Sequence, residues 1–130
     1  MKIPDSHRDL LTGKNFAHLA TLMPDGSPQS TPVWIDVEGD LVVFNTAEGR
    51  LKTRNLDRDG RVALSITDPA NGYRYIQIRG QVESKTHEGG DAHIDHMAKK
   101  YLGVDSYPYR QAGEVRAIFR IRPEHVQAYG

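Results

Sequence analysis

The chain contains no cysteine, no net charge and no long apolar run, and each absence removes a class of protein. Without cysteine there is no disulfide scaffold, no thiolate nucleophile and no thiolate metal centre, and nothing asks for an oxidising compartment. Lysine plus arginine number 17, as do aspartate plus glutamate, so the formal net charge is zero. No global field draws nucleic acid or an anionic membrane, and any anion site has to be local. No stretch approaches the roughly 20 apolar residues that span a bilayer, and the N-terminus has no apolar block of the signal-peptide kind. The expected location is therefore the cytoplasm. A P-loop, a dinucleotide glycine fingerprint and a Ser-His-Asp pattern are all missing as well, which leaves hydrolysis unsupported.

At 130 residues the chain suits one core and is too short for two ordinary domains, so residues 1–130 are expected to form a single unit. Pro4 to Leu11 reads as a helix start that stops at Gly13. Strands follow. Phe16 to Met23 ends at the turn signal Pro24-Asp25-Gly26-Ser27, and Pro28 to Val37 alternates Thr31, Val33, Ile35 and Val37 against Pro32, Trp34 and Asp36. Leu41 to Thr46 completes an expected three-stranded meander. Arg61 to Thr67 and Tyr73 to Lys85 are further strands, the longer one interrupted by Gly80, where a bulge or sharp bend is expected. A helix is predicted over about Glu88 to Leu102, then a loop from Gly103 to Gly113 and an amphipathic strand from Val115 to Ile121 with Ile118 on its outer face. Hairpins in sequence with two or three short helices favour a sheet curled on itself, since closure removes exposed edges. The expected fold is mainly β, a six- to seven-stranded antiparallel barrel.

The densest chemistry lies in Gly49-Arg50-Leu51-Lys52-Thr53-Arg54-Asn55-Leu56, at a strand-to-helix junction. A glycine there lets the backbone turn closely, and the first helical amides, having no internal acceptor, can face an anion. Arg50 offers a fork of donors, Lys52 a point charge and Asn55 an amide, a set that suits a phosphate. The competing reading is a solvated helix face carrying Arg50, Arg54 and Arg58, with Leu51 and Leu56 inward.

Together with Ala20-Thr21, Pro28-Gln29-Ser30-Thr31-Pro32-Val33-Trp34 and Asn71 to Gly80, this element resembles the split β-barrel flavin-binding proteins of the pyridoxamine 5′-phosphate oxidase-like superfamily. Within them the chain is most similar to small enzymes that use the deazaflavin coenzyme F420. The resemblance implies a homodimer with cofactor grooves at the interface and hydride transfer to a small unsaturated acceptor. It implies that Arg50, Lys52 and Asn55 hold the cofactor phosphate, and that Gln29, Ser30, Thr31, Pro32 and Val33 with Asn45 and Thr46 line the ring. Tyr73 and Tyr75 would lie near the ring or substrate, across the interface in one version, and Tyr107 to Arg110 would close the pocket. FMN, with one phosphate, suits the same cluster, and a flavin, F420 or haem carrier without turnover is the non-enzymatic alternative.

Two further groups carry weaker signals. His93 and His96 stand three apart on the predicted helix, a spacing that can place two imidazoles on one metal, but no ligand set can be completed from nearby residues, so a polar helix flank is the plainer reading. His18, in the first strand, is read as a hydrogen-bonded buried or interface histidine.

Overall fold

The computed structural model describes all 130 residues. A 3₁₀ turn (Asp5–His7) and α1 (Asp9–Thr12) precede β1 (Ala17–Leu22), β2 (Pro28–Val33), β3 (Asp36–Glu38), β4 (Leu41–Ala47), α2 (Leu51–Arg58), β5 (Arg61–Asp68), β6 (Asn71–Thr86), α3 (Gly90–Leu102) and β7 (Arg116–Tyr129). All seven strands join one antiparallel sheet in the order β2-β1-β5-β6-β7-β4-β3. The sheet curls into a split β-barrel. No helix is long and apolar enough to cross a membrane.

The β1–β2 hairpin is set by its turn. Asp25 accepts from the Ser27 amide at 2.9 Å and Gly26 takes φ 86°, a conformation that favours glycine. The resulting register runs from Ala17↔Val33 to Leu22↔Pro28.

The single strand expected over Pro28 to Val37, and with it the three-stranded meander, does not form. The chain leaves the sheet at Trp34 and Ile35, so β2 and β3 lie at opposite ends of the strand order. The cause is where Ile35 finds its backbone partners: its N–H donates to Tyr101 Oη at 3.0 Å, and its carbonyl accepts from Lys100 Nζ at 2.6 Å. With both groups satisfied by α3, no neighbouring strand is needed there.

Inside the curl, Leu19, Val42, Phe44, Leu64, Ile66, Ile76, Ile78, Phe119 and Ile121 form one buried core, with Phe44 and Phe119 stacked across the β4–β7 ladder at 5.3 Å. Ile3, Leu10 and Leu11 belong to the same core, brought there by α1, which packs on β3 and β5. The other side of β4 and β7 is not left bare. Helix α3 covers it, burying Ile94, Met97 and Ala98 along with Val43 and Ile118. Ile118 therefore offers no second apolar surface for a partner. β7 runs on past Ile121 to Tyr129, well beyond the expected end of the strand.

The β6–β7 ladder shifts register between Arg79 and Gly80, as expected for the glycine interruption, and again between Val82 and Ser84. A Cβ on Gly80 would sit 2.1 Å from the Arg122 carbonyl oxygen, so the close approach that bends the ladder needs glycine. Gly80→Ala is expected to destabilise the fold by about 1 to 3 kcal/mol, because backbone rather than a flexible side chain has to move. Gly72→Ala, where a Cβ meets nothing within 4 Å, serves as the control and should be near neutral in urea denaturation.

Candidate functional site

At the end of β4 the chain turns through Gly49 into α2, and a clamp fixes this junction. Thr53 is fully buried, donates its hydroxyl to the Ala47 carbonyl at 2.8 Å and lies 3.2 Å from Thr46 Oγ1. Leu56 anchors the helix in the core. The clamp holds Arg50 and Lys52 over a cavity of about 170 Å³ whose walls include Pro32, Val33, Trp34, Asn45, Thr46, Tyr107 and Arg116. A second groove of about 530 Å³ shares Arg50, Tyr107 and Tyr109 with it, and the two run together past the helix start.

The cavity is aromatic on one side and cationic on the other. Trp34 stacks on Tyr101 at 5.1 Å with an interplanar angle of 7°, and Tyr107 meets Trp34 edge-on at 6.1 Å. Tyr101 is a support and not an acid: its hydroxyl donates to the Asn15 carbonyl at 2.6 Å, and burial pushes its pKa up to about 12. The loop carrying Tyr107 and Tyr109 is pinned to α3, with the Tyr107 amide and Arg110 both bonded to the Asp95 carboxylate and Arg110 also 3.2 Å from Asp91. Opposite, neither Arg50 nor Lys52 has a carboxylate within ion-pair distance, while Lys52, half-buried, has its pKa lowered by burial and by the neighbouring Arg50 charge. Two cations left without counter-charge at a cavity mouth are a site for an anion.

Of the residues expected from sequence, Pro32, Val33, Asn45, Thr46, Arg50 and Lys52 line this cavity, as do Tyr107 and Tyr109. The others stand elsewhere. Asn55 is fully buried and engaged on both sides of its amide: Nδ2 donates to Thr21 Oγ1 at 3.0 Å, and Oδ1 accepts from Arg58 at 2.9 Å. Its second Nδ2–H faces Met23 Sδ at 3.5 Å, so the side chain ties α2 to β1 and does not line the cavity. Gln29 extends that network, accepting from the Thr21 hydroxyl at 3.1 Å, and Ser30 is exposed on β2. Thr31 is half-buried with an Oγ1 that has no partner. Tyr73 is 88% exposed, and Tyr75 stacks on Tyr129 at 4.9 Å, away from the cavity of their own chain. Arg58 is not a bare solvated cation, since it also donates to the Leu22 carbonyl at 2.6 Å.

His93 and His96 share no ligand geometry. His93 Nδ1 lies 3.0 Å from Asn45 Nδ2, which makes it the acceptor of an amide N–H, and His96 lies 3.5 Å from the Asp36 carboxylate. Of the buried or interface placement expected for His18, burial within the chain does not hold: it is exposed on β1, because odd-numbered residues of that strand face the core.

Sequence reasoning missed Arg116. An alternating strand places it beside Ile118 on the outer face, where arginine ordinarily meets solvent, yet it is 3% exposed because α3 begins directly against it. Gly90, the first residue of α3, permits that approach: a Cβ there would lie 2.8 Å from the Arg116 carbonyl oxygen. The readable signal was the Gly89-Gly90 pair at the helix start.

The chain matches the family model described as pyridoxamine 5′-phosphate oxidase over residues 3–130. A solved structure named F420 reductase superimposes with a TM-score of 0.86 at 32% identity, covering 96% of this chain and 98% of that one. A conserved hypothetical protein from Mycobacterium tuberculosis (TM-score 0.76, 21% identity, 98% of this chain and 84% of that one) shares the fold. So does a putative pyridoxamine 5′-phosphate oxidase from Listeria innocua (0.74, 16%, 95% of each).

The lowered pKa of Lys52 gives a pH prediction. The folded protein binds fewer protons than the unfolded chain between the depressed value and the ordinary lysine value, so this group's cost to stability is present at neutral pH and is relieved as pH rises through that window. Anion binding favours the ammonium form and should weaken over the same window. Calorimetric titration with inorganic phosphate from about pH 8 to 10.5 is expected to show affinity falling before ordinary lysines titrate. Lys52→Arg should flatten that fall.

Proposed function

This chain belongs to the pyridoxamine 5′-phosphate oxidase family, and on that premise we propose that it is an oxidoreductase that works with the deazaflavin F420 and reduces a small unsaturated or conjugated acceptor. The observation that carries the reading is the Arg50 and Lys52 pair, held without counter-charge at the mouth of a cavity with an aromatic wall. A flat ring system joined to a phosphate needs such a division, with apolar faces for the ring and fixed donors for the anion. The likeness to a structure named F420 reductase at 32% identity favours the deazaflavin over FMN.

In this reading Arg50 and Lys52 hold the phosphate, while Pro32, Val33, Asn45 and Thr46 border the ring. Trp34 and Tyr107 supply apolar surface and exclude water from the inner end. The bound coenzyme supplies a hydride, and the chain's own work is to bind, orient and keep the site dry. The working unit is a homodimer in which Tyr73 and Tyr75, standing clear of their own chain's cavity, reach the groove of the second chain. Each chain is a single cofactor-binding domain over residues 1–130.

Saturable quenching of F420 fluorescence by the purified protein tests the assignment, with tighter binding expected for F420 than for FMN. Tenfold preference for FMN, about 1.4 kcal/mol, would overturn it in favour of a flavin enzyme. Lys52→Ala should weaken coenzyme binding by about 1.5 to 3 kcal/mol, the value of a charge-assisted contact. Arg54, exposed on the same helix and in no ion pair, is the control, and its alanine variant should bind as the parent does.

A further inference from the structure

Deep in the cavity wall, Arg116 carries a guanidinium that the fold uses only in part. Its Nε donates to Glu114 at 2.7 Å, its Nη1 lies 3.4 Å from Asn45 Oδ1, and its plane sits 4.7 Å over the Tyr107 ring. Its Nη2 is buried and has no partner. A buried arginine is ordinarily satisfied at every N–H, because each one left unpaired costs its desolvation. Asn45, which meets the guanidinium at Nη1, and Tyr107, which lies under its face, are both walls of the cavity, as Arg116 itself is.

The side chain is also held still. Asn45 cannot turn its oxygen away from Arg116, because its Nδ2 is committed to the Gly90 carbonyl at 2.9 Å and to His93 Nδ1 at 3.0 Å. Around the cavity Arg50, Lys52 and Arg116 are answered by one carboxylate, that of Glu114. When a phosphate takes up Arg50 and Lys52, Arg116 is left beside Glu114 with its Nη2 edge still unpaired, because it lies on β7 under α3 rather than at the helix start.

We propose that Arg116 is a specificity-determining residue that receives a carboxylate, or an equally anionic oxygen, of a planar ligand at the inner end of the cavity, between Tyr107 and Asn45. This rests on the oxidoreductase reading in one respect: the ligand is taken to be the acceptor, which places the preferred acceptors among conjugated carboxylic acids. The anion site itself is a property of the chain alone. A neutral amide of the same shape would meet the same aromatic wall but bring no charge to the free N–H.

Benzoate and benzamide are suitable probes for the protein without coenzyme, read through Trp34, the only tryptophan and itself a cavity wall. Benzoate is expected to bind at least tenfold more tightly than benzamide. Arg116→Gln should remove roughly 10- to 100-fold of benzoate affinity, the range of one charge-assisted contact, and leave benzamide unchanged, while Arg116→Lys should recover part of the loss. Because Arg116 is buried and its variants can lose folded protein, Lys52→Ala supplies an independent arm, and the preference for benzoate should survive in it. Equal affinity for the two probes, or a preference lost in Lys52→Ala, would overturn the proposal by assigning the anion to the helix start. F420 binding by the parent separates the two readings: a parent that binds benzoate selectively but not F420 would sink the coenzyme assignment while leaving the Arg116 site standing.

Discussion

Uncompensated positive charge, kept partly out of water, is the constraint around which this molecule is arranged. Arg50 and Lys52 gain no carboxylate from the fold, and Arg116 receives one and still keeps a free N–H. Lys52 and Arg116, the two that are withdrawn from water, raise the free energy of the folded state, so elsewhere the structure has to hold them against relaxation toward solvent. The Thr53 clamp on Ala47 does this at the helix start, and Glu114, Asn45 and the Tyr107 ring do it for Arg116. Destabilisation confined to a cavity in this way is what a binding site for an anion requires, because the ligand then supplies the missing partner without first displacing another.

Helix α3 links the two ends of that arrangement. It covers the outer side of β4 and β7, sends Lys100 and Tyr101 to satisfy Ile35, and so pulls Trp34 out of strand pairing and into the cavity wall. The same helix, through Asp91 and Asp95, anchors Arg110 and the loop that carries Tyr107 and Tyr109. Its first residue lets Arg116 be buried. A helix that looks from its pattern like a simple cover therefore sets the aromatic half of the site and one of its cations.

Much of this was readable along the chain. The turn at Pro24 to Ser27, the glycine interruption at Gly80, the α3 stripe of Ile94, Met97 and Ala98, and the basic strand-to-helix junction each follow from local rules of turn chemistry, bulge formation and helical periodicity. The departures came where local rules compete with distant partners. Asn55 has the right chemistry and spacing for a phosphate ligand, but Thr21, far away in sequence, claims its amide. The run from Pro28 to Val37 alternates like one strand, but Ile35 finds its hydrogen bonds on α3. His18 lies on the same face of the strand as Phe16, and Phe16 is 55% exposed, its ring 6.0 Å from that of Tyr101 rather than in the core.

By itself, then, the sequence determined the strand-rich class, the hairpin turns, the place of the helices and the presence of a cationic junction able to meet a phosphate. These depend on residues within a few positions of one another, whose steric and periodic preferences act before any tertiary contact exists. Only the tertiary structure decided which of those cations stay unpaired, that Asn55 is structural, that Ile118 is covered and that Arg116 is buried with an N–H to spare. Such outcomes depend on which carboxylate, carbonyl or ring arrives from another part of the chain, and a charge becomes a site or a strut according to that partner, which no local pattern specifies.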